Sequence, residues 1–364
     1  MTEKNPLVTI CFLTYNYADK LEKALEPILH QSYQNIQLIV SNNQSTDTTE
    51  EVVKKIQQQY PKVIYRKNIP DLAADQFYDI SSKSIPTGSH KKTYDILFNH
   101  CNSVIKSGLI KGEFVIFCHQ DDVYQTDIVK KEVEFLIAHP NVQAVATTGK
   151  IINQDDSIAG LWRLPKELKE KNYYNFKEIF TAILRHGNFL LTPSFMLRTN
   201  TFEKVGLFDD QGPFGGADDL EMWLRILETY PIGIIQENLI WWRKGGRGKK
   251  YNQLRTDKAD HFKLMDYYLK EKEYGKSVDK KSLRQYEFQK DFDNTLCIMH
   301  FLIKGEVGEA KKLINQSYWL PNFWAFLENP TLLRTKVLSL KVVLYLGINL
   351  NLGKPLGKFL YRFL

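Results

Sequence analysis

The sequence predicts an α/β fold in which a mostly parallel central sheet is flanked by helices and followed by a helical C-terminal region. Strand-type apolar runs alternate with helical patterns through the first half of the chain, as in a parallel sheet covered on both faces. Strand signals fade after about residue 254. With 364 residues, of which 43% are hydrophobic, the chain is long enough for one large domain with an appendage or for two domains, and global disorder is excluded.

Three strands and two helices open the chain. The helical spacing of apolar residues in Asp19–Gln31 predicts the first helix, which Pro27 must bend or perturb. The second helix begins near Thr48, because Thr48 and Glu51 fit a capping box. The predicted strands are Leu7–Leu13, Ile36–Val40 and Val63–Arg66.

The alternation continues after an irregular segment. Residues 68–92 are rich in Ser, Lys and Pro, and we expect a flexible flap there. The amphipathic stretch Thr93–Lys106 predicts a helix that leads into a buried-type strand at Phe114–Phe117. Glu132–His139 ends the next helix, and Val142–Thr147 is the strand after it.

Charge and cysteine usage narrow the possible partners and the compartment. The formal net charge of +7 favours an anionic partner, which could be nucleic acid, a phosphorylated substrate or an acidic membrane surface. The four cysteines form no Cys-x-x-Cys pair, so neither a zinc site nor a disulfide framework is predicted, and a reducing cytosol is expected. The N-terminus lacks a signal sequence, and no apolar run reaches the length of roughly 18 residues that a spanning helix needs.

One strand ends directly on two carboxylates. The run Phe114–Phe117 is followed by Asp121 and Asp122, and in an open α/β sheet the ligand crevice lies at the carboxyl ends of the strands. Two neighbouring carboxylates repel each other unless a cation or a proton intervenes. A divalent metal that carries a phosphorylated ligand commonly fills this role. The chain has three other Asp-Asp pairs, so it is the strand in front that makes this pair a candidate site.

Small polar residues end the first two strands at the same predicted edge. Tyr15 is suited to stacking on a base, and Thr14 and Asn42 to hydrogen-bonding its edge. Ser45 and the helix start after it offer backbone N–H groups to an anion. Together with Asp121, these residues outline a nucleotide pocket.

Several ordered blocks of the sequence resemble family 2 glycosyltransferases. The resemblance spans about residues 5–247 and implies the GT-A fold, with a nucleotide half at about 1–125 and an acceptor half at about 126–253, ahead of a helical region at 254–364. The blocks that carry it are Pro6–Asn16, Gln31–Tyr33, Ile39–Asp47, Asp121–Tyr124, Val205–Asp209 and Gly215–Arg225.

The resemblance implies a donor site for a nucleoside-diphosphate sugar. Thr14, Tyr15, Asn16 and Asn42 would contact the nucleoside. Asp121, together with Asp122, would hold Mn²⁺ or Mg²⁺ on the donor diphosphate, where the metal offsets the charge of the leaving group.

The resemblance also implies a catalytic base on the acceptor side. Asp219 would take the proton from the acceptor hydroxyl, and Asp218 beside it would tune its charge. Attack opposite the leaving group would invert the anomeric centre.

The chain departs from the family pattern at three places. Asn42 stands where the family usually has an acid, and His119 stands at the first position of the acidic motif. His119 is either a ligand, better suited to Mn²⁺ than to Mg²⁺, or a neighbour of the ligands. The stretch after Trp242 lacks the family's metal-binding His but carries Arg243, Lys244 and Arg247. We expect these cations to share the charge of the diphosphate with the metal, and a solvated basic loop is the other interpretation.

Two other classes of function compete with glycosyl transfer. The departures at Asn42 and His119 would also fit a catalytically inactive protein that binds nucleotide sugars or carbohydrate. The net charge suggests a nucleic-acid binder, but no RNA-binding signature accompanies it and an acidic crevice would repel a phosphate backbone. A nucleotidyltransferase would want a Gly-rich phosphate loop near the N-terminus, which the sequence lacks. We therefore expect no nucleic-acid partner.

The segment Thr331–Leu364 is basic and apolar at once. It has six Lys and Arg residues and no acid, and its glycines are expected to break it into short pieces. Two interpretations are open: helices that lie in an anionic membrane interface, or a helical pair packed on the main domain with a basic outer face. By analogy with the family, the first fits a cytoplasmic bacterial enzyme at the inner face of the membrane that extends a lipid-linked glycan for capsule or O-antigen.

Overall fold

The computed structural model describes residues 5–68, 90–210, 212–244, 254–316, 326–327 and 331–362, with side chains of residues 90–96 left aside. Nearly all of the flap expected at 68–92 lies outside the described residues, and so does Arg247.

The predicted α/β class is confirmed by one central sheet whose longest strand pairings are parallel. Its strand order is β3-β2-β1-β4-β9-β6-β10-β5, with β7 added beside β6 and β8 beside β10. The first four strands in this order are mutually parallel, and β9 then runs antiparallel between β4 and β6. The strands are β1 Val8–Thr14, β2 Ile36–Asn42, β3 Ile64–Lys67, β4 Phe114–His119, β5 Val123–Tyr124, β6 Ala144–Ile152, β7 Ile158–Trp162, β8 Tyr173–Tyr174, β9 Met196–Arg198 and β10 Ile232–Arg243.

The helices follow the alternation that the sequence predicts and continue into a helical C-terminal region. Among the described residues they are α1 Leu21–Leu29, α2 Thr49–Gln59, α3 His90–Lys106, α4 Ile128–Ala138, α5 Phe176–His186, α6 Thr201–Val205, α7 Asp218–Leu227, α8 Asp260–Lys270, α9 Lys280–Ile303, α10 Val307–Asn315, α11 Leu332–Asn349 and α12 Gly353–Tyr361. A short 3-10 turn, Thr192–Ser194, precedes β9.

Burial explains why the apolar runs become central strands. Every residue of β1 is buried, and five of the six residues of β4 are buried beside it. Gly112 permits the close approach of the chain before β4, since a Cβ there would lie 2.5 Å from the backbone N of Thr9. The parallel core strands thus carry continuous apolar runs rather than alternating ones.

Two local expectations are wrong. The side chain of Thr48 makes no capping hydrogen bond at the start of α2; instead the Asp47 carboxylate accepts from the backbone N–H of Thr49 at 3.0 Å. Gly347 does not break the C-terminal segment, because it lies inside the 18-residue helix α11. A helix absorbs a single glycine at a cost of about 1 kcal/mol when packing favours it.

The described residues fall into two compact units. One contains the described residues 5–68, 92–180 and 188–244, and the other contains 90–91, 181–187 and the described residues from 254 onward. In the second unit α9, α10, α11 and α12 share one apolar core, which includes Ile298, Leu302, Ile314 and Leu344. No helix in the described part of the chain is long and apolar enough to cross a membrane.

Candidate functional site

The ends of β1, β2 and β4 meet at one edge of the sheet. The parallel register pairs Leu13 with His119 and Thr14 with Asn42, so the polar residues that follow these strands are neighbours. This register brings the predicted nucleotide residues and the Asp121–Asp122 turn to the same crevice.

Gln120, which the sequence analysis did not single out, joins two of these strand ends. Its Oε1 accepts hydrogen bonds from Thr14 Oγ1 at 2.8 Å and from the Tyr15 backbone N–H at 2.7 Å. Its Nε2 donates to the Tyr15 carbonyl at 3.1 Å. Because Asp121 follows directly, the amide fixes the acidic turn against the end of β1. A glutamine inside an acidic motif gives no such signal in sequence.

Asn42 and Asn16 organise the loops beside the crevice. The side chain of Asn42 is fully buried, and its Oδ1 accepts from the backbone N–H of Ser45 at 2.9 Å and from its hydroxyl at 2.7 Å. Its Nδ2 donates to the Tyr65 hydroxyl at 3.1 Å. Asn16 has a left-handed φ of 46°, donates from its backbone N–H to Ser45 Oγ at 2.9 Å and accepts from the Thr46 N–H at 2.8 Å. In this conformation the amide of Asn42 shapes the β2 loop.

The two acids of the candidate metal motif differ in environment. Asp121 is exposed, whereas Asp122 is 3% exposed and its Oδ1 accepts a hydrogen bond of 2.9 Å from the Arg243 backbone N–H. Burial raises the pKa of Asp122 well above its usual range, the Asp121 carboxylate adds to this, and Arg243 opposes it. Asp121 is therefore the carboxylate that is presented to solvent.

Arg243 is engaged with protein groups. Its Nε donates to the Asp121 carbonyl at 2.8 Å, and its Nη1 donates to the Asn153 carbonyl at 2.8 Å. The same Nη1 lies 2.6 Å from a carboxylate oxygen of Asp156. The guanidinium thus links the acidic turn to the β6–β7 hairpin. Lys244 is exposed, and Arg247 lies outside the described residues.

The acidic turn fits a metal that arrives with its ligand rather than a preformed metal cage. Within the described ranges, no three or more His, Cys, Asp or Glu side chains converge as a metal site. Mg²⁺ commonly uses one or two protein carboxylates plus the phosphates of the substrate, so the exposed Asp121 suits that mode. Burial lowers the pKa of His119, against the opposing effect of Asp121, and this favours the neutral imidazole that can ligate a metal.

Asp219 lies in the first turn of α7, in contact with the turn before β9. One carboxylate oxygen accepts from Thr192 Oγ1 at 2.7 Å, and the other accepts from the Leu220 N–H at 2.6 Å. Trp223 Nε1 in turn donates to Thr192 at 3.1 Å. Sequence reasoning missed Thr192, which is 27 residues away from Asp219 along the chain.

The strand register places Asp219 on the crevice side of the sheet. Since β9 runs antiparallel to β4 and Met196 pairs with Ile116, the residues before Met196 lie toward the carboxyl end of β4. Thr192 and its partner Asp219 therefore occupy the edge that carries the acidic turn. Asp218 is 1% exposed beside it.

The electrostatic environment suits Asp219 as a proton acceptor. Burial raises the pKa of Asp219, while the hydrogen bonds from Thr192 and the Leu220 N–H act in the opposite direction. A carboxylate with a raised pKa binds a proton more strongly than an ordinary one, yet the two donors keep its anion accessible.

A cavity of about 500 Å³ lies between α1, the acidic turn and Arg243, and this volume is in the range of small-molecule sites. Charged and polar groups of α1 and of the residues that flank it line the cavity together with the acids of the turn. Its lining includes Tyr17, Lys20, Lys23, His30, Asp121 and Asp156.

Comparisons with known proteins find similarity to glycosyltransferases. Residues 9–69 match the model for glycosyl transferase family 2. An uncharacterized glycosyltransferase of Rickettsia typhi is 25% identical over 240 residues, which make up 65% of this chain and 63% of that protein. The matched part therefore spans less than two thirds of the rickettsial relative.

Two further proteins are similar. UDP-Glc:alpha-D-GlcNAc-diphosphoundecaprenol beta-1,3-glucosyltransferase of Escherichia coli is 22% identical over 228 residues, covering 61% of this chain and 70% of that enzyme. The crystal structure of S. aureus TarS 1-349 in complex with UDP superimposes with a TM-score of 0.47 at 12% identity, over 95% of this chain and 92% of that one.

Proposed function

Since this chain belongs to glycosyltransferase family 2, we propose that it moves a sugar from a nucleoside-diphosphate sugar to a hydroxyl group of a glycan acceptor. The observation that carries the proposal is the Gln120 bridge between Thr14 and Tyr15, at the end of β1, and the turn that bears Asp121. The Gln120 bridge holds the proposed nucleoside-binding residues Thr14 and Tyr15 next to the Asp121 carboxylate that we assign to the diphosphate. We assign this chemistry to residues 1–253 and a separate role to 254–364.

In the proposed reaction Asp219 is the general base. Its carboxylate takes the proton of the acceptor hydroxyl as that oxygen attacks the anomeric carbon from the side opposite the diphosphate, which inverts the centre. Thr192 and the Leu220 N–H orient the carboxylate, and Asp218 adds negative charge beside it. A positioned base of this kind contributes about a hundredfold to ten-thousandfold in rate.

On the donor side, the nucleoside contact consists of Thr14, Tyr15, Asn16 and Asn42. Asn42 contributes to it by shaping its loop. Asp121 would hold Mn²⁺ or Mg²⁺, with Asp122 fixing the turn and His119 as a further candidate ligand. The metal, when bound, would offset the charge of the leaving diphosphate. Lys244 and Arg247 are the cations that we assign to the same charge, since Arg243 is engaged with the turn.

The acceptor is proposed to be lipid-linked, as in the assembly of a bacterial surface polysaccharide such as capsule or O-antigen. The name of the E. coli relative, which acts on a diphosphoundecaprenol-linked sugar, supports this choice. Such acceptors lie in the membrane, so we place the enzyme at the cytoplasmic face, held there by its basic C-terminal region.

Thermal-shift screening against nucleotide sugars, each with and without Mn²⁺, tests the donor proposal. We expect one nucleotide sugar to raise the unfolding temperature, because a ligand that binds the native state stabilises it. The Asp121→Asn variant should lose the part of the shift that depends on Mn²⁺. If no nucleotide sugar raises the unfolding temperature, the proposed donor site is wrong.

A donor hydrolysis assay separates an enzyme from the inactive binding protein that the departures at Asn42 and His119 would also fit. We expect slow release of nucleoside diphosphate, which EDTA should abolish. If EDTA leaves turnover intact while Arg247→Ala abolishes it, the basic loop replaces the metal as the main electrophile. A thermal shift without any hydrolysis or transfer would support the inactive binding protein instead.

A further inference from the structure

Helix α11 buries two cations among the apolar residues of its packed side. The residues on its buried stripe recur at helical spacing and include two cations, Arg334 and Lys341, which are 4% and 1% exposed. Lys341 Nζ lies 2.5 Å from Asp291 Oδ1 on α9, and Arg334 donates to Gln285 Oε1 on the same helix. Val337, Leu344 and Ile348 complete the stripe.

The opposite face of α11 is apolar and exposed. Leu332, Val343, Leu346 and Leu350 are 72%, 49%, 50% and 65% exposed, respectively. Their spacing of eleven, three and four residues stacks them along one side of a helix, opposite the Lys341 stripe. A helix of a water-exposed protein normally presents polar residues to solvent, so this face is built for an apolar partner.

The adjoining helix α12 extends the surface and is fixed to the same core. Phe359 and Tyr361 are 53% and 52% exposed. Gly357 lies against α9, since a Cβ there would come within 2.0 Å of the Leu302 carbonyl oxygen. The exposed side chains of α11 and α12, called here the apolar face, therefore project from a hairpin that already has its own packed side.

Charge identifies the occupant of the apolar face. Lys336, Lys354, Lys358 and Arg362 are exposed around it, and the sequence from Thr331 to Leu364 contains no acid. A second copy of this surface would bring like charges together and offers no carboxylates to match them. An anionic lipid surface supplies both parts, with acyl chains for the leucines and phosphate groups for the cations.

We propose that the apolar face docks onto an anionic membrane leaflet, with α11 in the plane of the interface and its leucines at the boundary of the headgroups and acyl chains. The docking proposal rests on the proposed function. It specifies the surface and the lipid chemistry of the membrane contact that the proposed function includes. Lys341 and Arg334 are used for packing, so the electrostatic part of the binding comes from the exposed cations.

Co-sedimentation of the full chain with vesicles tests the docking surface. The protein should bind phosphatidylcholine vesicles that contain phosphatidylglycerol, bind pure phosphatidylcholine poorly, and be released in part at about 0.5 M salt. The triple variant Val343→Ser, Leu346→Ser, Leu350→Ser should bind the anionic vesicles about tenfold more weakly. Because these side chains are exposed, the fold should be preserved, which circular dichroism checks.

The matched control is the double variant Ile158→Ser, Leu161→Ser, whose side chains on β7 are also exposed, at 61% and 41%. Its vesicle binding should equal that of the wild type. Binding that the triple variant retains in full overturns the proposal. So does a wild-type dimer in sedimentation equilibrium that the triple variant converts to monomers, since a second copy would then be the occupant.

A measurement of donor binding distinguishes a failure of this proposal from a failure of the glycosyl-transfer proposal. The triple variant should show the same thermal shift with a nucleotide sugar as the wild type. Loss of vesicle binding with an intact donor response supports the membrane surface. Absence of a donor response in the wild type would count against the proposed transfer alone.

Discussion

The backbone N–H of Arg243 donates a 2.9 Å hydrogen bond to Oδ1 of Asp122, and this contact makes the two acids of the motif unequal. Asp122 is turned inward and anchors the acidic turn, while Asp121 remains exposed. The Arg243 side chain holds the same turn through the Asp121 carbonyl. The end of β10 thereby positions the acidic turn at the end of β4.

Replacing Arg243 by Lys tests this positioning role. Lysine cannot reproduce the contacts that the guanidinium group makes with the Asp121 carbonyl, the Asn153 carbonyl and the Asp156 carboxylate. The hydrogen bond from the backbone N–H of residue 243 to Asp122 persists. We expect kcat for donor hydrolysis to fall about tenfold to a hundredfold, because small displacements of catalytic groups are costly. The Mn²⁺ concentration for half-maximal nucleotide binding should rise as well, which an effect on stability alone would not produce.

Lys244→Ala distinguishes positioning from direct charge neutralisation. The Lys244 side chain is exposed next to Arg243. A loss in Lys244→Ala equal to that in Arg243→Lys would mean that both cations act on the diphosphate directly. Unchanged Mn²⁺ dependence in Arg243→Lys would contradict the positioning role.

The pH profile of transfer should depend on Thr192. For a general base the anion is the active form, so the acid limb of the kcat/KM profile follows the pKa of Asp219. The Thr192 hydroxyl stabilises the Asp219 anion, and its removal in Thr192→Val raises this pKa further. The acid limb should move to higher pH, measured by initial rates across the pH range.

Two further variants serve as controls for this test. Thr147→Val makes the same substitution at a buried threonine whose hydroxyl has no hydrogen-bond partner among the described groups, and it should leave the limb in place. Asp219→Asn should reduce kcat about a hundredfold to ten-thousandfold while donor binding persists. An acid limb that is unmoved in Thr192→Val would show that Asp219 is not the group that limits the rate at low pH.

The sequence predicts the fold well because burial leaves a recognisable pattern of apolar residues. Continuous apolar runs identify β1 and β4, and their adjacency follows from the parallel register. What the sequence does not reveal is β9, the three-residue strand Met196–Arg198 that enters antiparallel between β4 and β6. A strand of that length has too few residues to show a period, and its place depends on long-range pairing.

For the candidate site the sequence indicates residue types but not their orientation. Motifs point to Asp121, Asp122 and Asn42, yet only the structure distinguishes the exposed acid from the buried one and finds the Asn42 amide bonded to Ser45. Gln120 and Thr192 were missed because each acts through a partner distant in sequence. On α11 the pattern was misleading in part, since two of the segment's six cations, Lys341 and Arg334, are buried against Asp291 and Gln285.

Glu132 on α4 should destabilise the protein at neutral pH. Its side chain is fully buried, and neither carboxylate oxygen has a hydrogen-bond partner within the described part of the chain. Burial raises its pKa well above the usual range. Glu132→Met removes the buried acid at similar volume, and we expect it to increase the free energy of unfolding by about 1–3 kcal/mol at neutral pH.

The sign of the pH dependence follows from the raised pKa of Glu132. Folding is favoured by the protonated acid, so its contribution is complete below the ordinary carboxyl range and is lost as the pH rises toward the folded-state pKa. Urea unfolding of Glu132→Met at several pH values should therefore show a gain that grows with pH. Glu134→Met, the same change at an exposed position of α4, should show little gain. Equal gains in both variants would mean that burial of Glu132 is not the cause.

The Lys341–Asp291 ion pair should be the main polar constraint on the inward face of α11. Lys341 is 1% exposed, so Lys341→Met takes the ammonium group away from a carboxylate that is only 8% exposed. Breaking a buried pair by removing one partner costs about 3–5 kcal/mol, whereas replacing both with apolar residues is often neutral. We expect the double variant Lys341→Met, Asp291→Leu to recover most of the loss.

The measurement is the urea midpoint of the helical signal, with Lys312→Met on α10 as the control. Lys312 pairs with Glu309 at 2.7 Å, but both side chains are largely exposed, so its loss should cost less than about 1 kcal/mol. If Lys341→Met is as mild as Lys312→Met, the inward cation is not what holds α11 in register. The expected recovery in the double variant would mean that α11 also packs with a filled apolar inner face, so that the exposure of its apolar outer face does not depend on the pairing of Lys341.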